Sequence, residues 1–312
     1  MSIMPRVLVV SILVALALAA ASPASAVLGC SFQTTFYPAT VTGSGVITGT
    51  AGPDVIAGSN GPDTITTLGG DDIVCGRGGA DLIDCGDGDD LLRGDTNLDT
   101  IRGGAGADVL LSDGSDDRLD GGIGNDLARG DVGDDLVVGS DGDDQLYGDL
   151  GDDRLYGKAG ADLMTGDEGD DYLSGAEGAD QIAGRLGDDV INTGDGENVA
   201  NGDEGRDGIT GGVDKDFLYG GLDDDIVRGG DGDDWVDGGS GADRVDGQAG
   251  NDSVQGGVGD DVIIGGAGDD RMWGDEVLFR VGGNDRMYGQ EGDDLVAVTN
   301  QDVGRGGRSR TP

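Results

Sequence analysis

The sequence predicts an all-β protein, a parallel β-solenoid in which two nine-residue repeats make one coil. Three observations predict it. A register of nine holds without insertion or deletion from Gly49 to Trp273, the eighth position of every unit is apolar, and a glycine every three to five residues excludes helix at about 1 kcal/mol each relative to Ala.

Cut from Gly49, these 225 residues form 25 units, with Asp at position 6 in 24 of them and Asn198 as the exception. Positions 1 and 4 are each Gly in 21 of the 25. The departures are Thr67, Cys85, Ser112 and Thr193 at position 1, and Asn97, Ser115, Asp214 and Asp223 at position 4. Acidic low-complexity sequence does not keep a frame this long.

Along the chain, residues 1–26 read as a secretory signal peptide: Arg6, an apolar run from Val7 to Ala21, and the small-residue pattern Ala24-Ser25-Ala26. The run is about 15 residues, short of the roughly 20 a spanning helix needs. "VLGC" at 27–30 loosely resembles a bacterial lipid-attachment box, which Leu28 fits poorly. Residues 27–48 are not repetitive and are expected to form an N-terminal cap. The array occupies 49–297 and is broken by six extra residues near 277–282, before the pattern resumes at Asp285 with Met287 and at Asp294 with Val296. The insertion is read as looped out, or alternatively Val277, Leu278, Phe279 and Trp273 are read as an exposed apolar contact point for a partner or a second copy. The basic, glycine-rich tail 298–312 is expected to be disordered.

Within one unit the glycines bend the first half sharply, and the second half, such as "DQLYG", is a short strand whose position-8 residue faces inward. One unit buries one side chain and cannot fold alone, so units must stack. With two units per coil, residues 18 apart lie about 4.8 Å apart on neighbouring strands, and about thirteen coils make a rod on the order of 60 Å long.

Stacking raises an electrostatic problem. The chain carries 63 acidic and 19 basic residues, a net charge of −44. Such a chain should be disordered unless its carboxylates are neutralised, and its sign excludes nucleic acid as a partner. One edge would carry Asp54, Asp72, Asp90, Asp108, Asp126, Asp144, Asp162, Asp180, Asp216, Asp234, Asp252 and Asp270. The other would carry Asp63, Asp81, Asp99, Asp117, Asp135, Asp153, Asp171, Asp189, Asp207, Asp225, Asp243 and Asp261, and Asp285 and Asp294 continue the pattern. Carboxylate and turn-carbonyl oxygens, with no His in the chain, suit calcium, which takes six to eight oxygen ligands in irregular geometry, better than magnesium or zinc.

The units "GDLGDDRLY" (148–156) and "GGAGDDRMW" (265–273) resemble the G-G-x-G-x-D-x-U-x repeat of RTX proteins, the haemolysin-type calcium-binding repeats. The resemblance covers 49–297 and implies a parallel β-roll with multiple Ca2+ ions. It implies that position-6 Asp side chains and turn carbonyls of units n and n+2 hold each ion, so that Asp144 acts with Asp126 and Asp162. It also implies a weakened site where Asn198 meets Asp180 and Asp216, and altered loops at Asp214 and Asp223.

Three cysteines allow one internal bridge, and one from Cys30 to Cys75 or Cys85 would pin 27–48 onto the first coils. A Cys75–Cys85 bond would strain the coil between them. No enzyme is expected: without His there is no usual nucleophile–base pair, and acids in every turn single out no catalytic pair. The reading is a secreted, extracellular calcium-binding repeat protein that folds on meeting calcium. The alternative is a cell-surface adhesin or matrix protein presenting the insertion and caps. A cytolysin fits less well, since no amphipathic or apolar stretch for membrane insertion follows the signal peptide.

Overall fold

The computed structural model describes residues 29–32, 35–274, 284–297 and 303–305. The expected signal peptide, 1–26, and the insertion at 277–282 lie outside the described residues. Two parallel sheets of 15 strands face each other, and successive strands of the chain alternate between them. Each strand therefore faces its chain neighbour across the core and hydrogen-bonds to the strand one coil away. No helix occurs among the described residues.

The register advances by 18, as the repeat requires. Leu146 pairs with Ala128 and Met164 in one sheet, and Leu155 with Val137 and Leu173 in the other. Across the insertion the step becomes 24, Ile263 pairing with Met287 and Met272 with Val296, so six residues are absorbed outside the ladders. Within the tail expected to be disordered, Val303–Arg305 pairs with the strand Arg286–Glu291.

The core is one line of position-8 side chains from each sheet, fully buried at Leu146 and Leu155. It narrows to Ala128 and Ala200 without a change of register. Most strands have six residues, as in Gln145–Leu150 and Arg154–Ala159, and run from position 7 into position 3 of the next unit. This corrects the sequence-based expectation of a bend over the whole first half of each unit. The position-1 glycine continues the strand and faces inward, and the chain turns through left-handed residues at positions 2 and 4 before position 6.

The non-repetitive start divides into two parts. The strand β1 (Gly29–Phe32) and the strand β2 (Thr35–Pro38) form an antiparallel hairpin. It lies on the outer face of a sheet, where Cys30 and Tyr37 meet Cys75, Ile73, Leu91 and Leu111. Val41–Thr42 and Val46–Thr48 then begin the two sheets by pairing with Ile56–Ala57 and Thr64–Thr66. Short end strands of this kind limit edge-to-edge pairing with another chain.

Because the core is one side chain deep, Leu146→Ala is expected to cost about 2–5 kcal/mol of stability in a urea titration with calcium present. Gln145→Ala, on the exposed side of the same strand, should change it by less than about 0.5 kcal/mol. Equal losses would show that the position-8 line is not the core.

Candidate metal centres in the turns

The position-6 aspartates are buried in spite of their charge, Asp144 and Asp153 being each 1% exposed. One oxygen of each has a repeated partner. The Asp126 N–H donates to Asp144 Oδ1 at 2.8 Å and the Asp144 N–H to Asp162 Oδ1 at 2.9 Å. On the other edge Asp135 and Asp153 donate to Asp153 and Asp171, both at 2.7 Å. The chain of contacts continues across the insertion, from Asp261 to Asp285 at 3.0 Å and from Asp270 to Asp294 at 3.3 Å. The residues singled out by spacing are thus brought together in two columns.

The second oxygen differs. At Asp72, Asp81, Asp90, Asp99 and Asp108, at every ninth residue from Asp126 to Asp189, and at Asp207, Asp225, Asp234, Asp243, Asp252 and Asp270, no donor of the protein reaches the buried Oδ2. Burying a carboxylate oxygen without a partner is costly, and burying columns of them is more so.

The glycines make this arrangement sterically accessible. A Cβ on Gly157, at position 1, would lie 2.1 Å from Asp162 Oδ2. In the 21 units with glycine at position 1, that glycine gives clearance around the carboxylate. At position 4, Gly142 has φ +138°, and a Cβ would lie 1.8 Å from the Gly124 carbonyl oxygen one coil away. Position 2 is also left-handed, even where it carries a side chain, as at Asp149 (φ 77°) and Lys158 (φ 86°).

Asn198 shows what surrounds the second side-chain atom. Its Oδ1 accepts from the Asp180 N–H at 2.8 Å, as an Asp would. Its Nδ2 donates to the carbonyls of Gly196 at 2.9 Å and Gly194 at 3.3 Å, in a turn whose positions 2 and 4 are left-handed like the others. The corresponding place in an Asp turn is occupied by an oxygen facing those carbonyl positions. An all-oxygen donor set around a buried negative charge fits a hard cation such as calcium.

Among the described residues, three turns are built differently. Asp54 Oδ2 accepts from the Thr50 N–H at 2.6 Å, Asp63 Oδ2 from the Ser59 N–H at 2.6 Å, and Asp216 Oδ2 from the Gly212 N–H at 2.8 Å. In these turns positions 2 and 4 are not left-handed, and the position-2 N–H points at the carboxylate instead.

Two further features have no counterpart in the sequence reading. Position-5 carboxylates form outer ladders of opposite sense, with the Asp152 N–H donating to Asp134 Oδ1 at 3.1 Å and the Asp170 N–H to Asp152 Oδ1 at 3.0 Å. On a sheet face, Arg93 bridges Asp95 and Asp113, and Arg129 bridges Asp131 and Asp149. The recurring spacing of 20 from Arg to the farther Asp was the available signal. The cysteines separate by side: Cys85, at position 1, is inside the core, whereas Cys75, at position 9, faces the hairpin. The Cys75 thiol is held well above the ordinary range, first by its hydrogen bond with Cys30 and then by burial. All three are free thiols in this structure.

Burial pushes the Asp144 carboxyl up to about 7 and those of Asp153 and Asp189 to about 8, with neighbouring carboxylates adding and the backbone N–H contact opposing. A group whose pKa rises on folding stabilises the fold fully below its unfolded value, near 3.8, and loses that contribution as pH climbs through the folded value. Metal-stripped protein is therefore expected to have more β structure near pH 4 than near pH 8, losing it across that window as followed by circular dichroism. A flat profile would contradict the burial of these carboxylates.

The profile of the RTX calcium-binding nonapeptide repeat matches in overlapping windows from 48–83 to 246–276, and again over 282–297. No curated protein matches the chain significantly. An 18-residue register, two columns of buried Asp and this match along most of the sequence lead to one assignment: the chain belongs to the RTX calcium-binding nonapeptide repeat family.

Proposed function

We propose that this protein is a secreted calcium-binding repeat protein whose array folds when calcium is supplied. The observation that carries the reading is that along both columns, as from Asp126 to Asp189, successive buried Asp Oδ2 atoms have no protein donor. The position-6 carboxylates and turn carbonyls would hold the ions, and calcium would supply positive charge that the acidic chain lacks.

The protein's own groups prepare the place. The N–H of each Asp fixes Oδ1 of the Asp one coil on, position-1 glycine leaves clearance beside Oδ2, and left-handed residues at positions 2 and 4 shape the turn. Without a cation the columns repel, so binding energy and folding energy become one quantity. The signal-peptide pattern at 1–26 supports export, and a chain unfolded at low calcium would cross a membrane before it folds. Extracellular calcium modules bind in the range of about 0.1–1 mM. The role is structural and ion-binding, not catalytic: chemically equivalent acids recur in every coil and no turn is distinguished as a reaction centre. Export would also let thiol–disulfide exchange oxidise the neighbouring Cys30 and Cys75 and fasten the hairpin to the sheet.

Circular dichroism in chelator and in about 5–10 mM calcium, roughly tenfold above that affinity, tests the reading. β structure should appear with calcium, and the folded protein should retain on the order of 20 ions; identical spectra would overturn it. For the cysteines, mass spectrometry of unreduced protein from an oxidising compartment should find a Cys30–Cys75 linked peptide and Cys85 free. A linkage through Cys85 would contradict the packing.

A further inference from the structure

One of the two columns departs from its own pattern in two consecutive turns. On the Asp144 edge, Asn198 follows Asp180, and Asp216 follows Asn198. The Asn198 amide nitrogen donates to two carbonyls of its own turn, so a neutral donor occupies the place where other turns present Oδ2. One coil later, Asp216 has both oxygens engaged: Oδ1 accepts from the Asn198 N–H at 2.9 Å and Oδ2 from the Gly212 N–H at 2.8 Å. The two turns are also tied directly, since the Gly196 N–H donates to Asp214 Oδ2 at 3.1 Å. Both sequence departures, Asn at position 6 and Asp at position 4, thus belong to one linked structure. Lys215, next to Asp216 in sequence, is exposed, its Nζ lies 4.7 Å from the Phe217 ring centroid, and its charge acts on Asp234 one coil on. At the same coils the opposite edge shows no such change: Asp189, Asp207 and Asp225 all keep a buried Oδ2 without a protein donor.

We propose that the turns at Asn198 and Asp216 close without metal and divide the calcium column of this edge into two separate blocks, while the column of the other edge runs past them. The proposal rests on the calcium reading above. In a solenoid each coil communicates only with its neighbours, so such a pair limits how far metal-coupled folding spreads along one edge. It also holds the middle of the rod by hydrogen bonds that do not depend on calcium.

Asn198→Asp and Asn198→Ala in the full chain test it, with bound calcium measured by elemental mass spectrometry and folding by circular dichroism across a calcium titration. Asn198→Asp replaces the donor with an oxygen facing the Gly194 and Gly196 carbonyls. This variant should be less folded than the parent at low calcium, recover at saturating calcium, and bind at least one more ion per chain. Asn198→Ala removes the donor and offers no ligand, so calcium should not restore it and its ion count should not exceed that of the parent. The proposal is overturned if Asn198→Asp binds no additional calcium, if it fails to recover with calcium, or if the two variants respond to calcium alike. Loss of the calcium reading itself would be seen separately, as a parent protein that binds none.

Discussion

Every coil of this protein sets a buried carboxylate one strand spacing from the next, and the rest of the structure is organised around that repulsion. At strand spacing, two charges in a surface-like environment repel by several kcal/mol, and more where water is excluded. The protein offsets part of it locally. The backbone N–H of one Asp donates to Oδ1 of the next, so one backbone dipole per turn is spent on half a carboxylate. The remaining half defines the chemistry: an oxygen that the backbone does not reach in most turns, raised in proton affinity by burial, and in need of either a proton or a cation.

The apolar core could not hold such columns alone. Each strand commits two positions inward, but in 21 of 25 units one is a glycine beside Asp Oδ2, so position 8 supplies nearly all of the hydrophobic burial, with Cys85 the apolar exception at position 1. The enlargement of the core is thus limited by the same carboxylate that needs stabilising. This explains why Ala128 and Ala200 can replace larger residues without disturbing the register: the parallel ladders and the turn contacts set the spacing, and position 8 fills what is left. The ion pairs of Arg93 and Arg129 with stacked aspartates solve the same problem on a sheet face with cations built into the chain.

The period, the inward position and the two carboxylate columns were legible because a repeat of nine with two units per coil fixes which residues are neighbours. It does not fix which way a group points. The spacing placed Asp144 between Asp126 and Asp162, but whether a carboxylate oxygen meets an N–H or a carbonyl depends on the φ of positions 2 and 4. Non-glycine residues such as Asp149 and Lys158 adopt left-handed conformations there without a sequence signal. Glycine permits bends, but at position 1 of most units it answers to a different demand, since a side chain at Gly157 would strike Asp162, and the Thr67 and Cys85 turns accommodate one. The hairpin was equally hidden: three cysteines left two bridges open, and only the packing of β1 on the outer sheet face separates Cys75 from Cys85.

The departures from the repeat show that turn state belongs to the column as much as to the residue. Asn97, Ser115 and Asp223 replace the position-4 glycine yet keep φ of 82°, 106° and 74°, so their turns retain the common form at some conformational cost. Asp214 makes the same kind of replacement as Asp223 and does not adopt that conformation. The difference lies one coil away. Asp223 is stacked in a column whose neighbours all present Asp at position 6, whereas Asp214 follows the Asn198 turn and accepts a hydrogen bond from its Gly196 N–H. Here the preceding turn presents an amide instead of a carboxylate, and the left-handed form is not adopted. The next turn then reverses its amide and satisfies its own Asp.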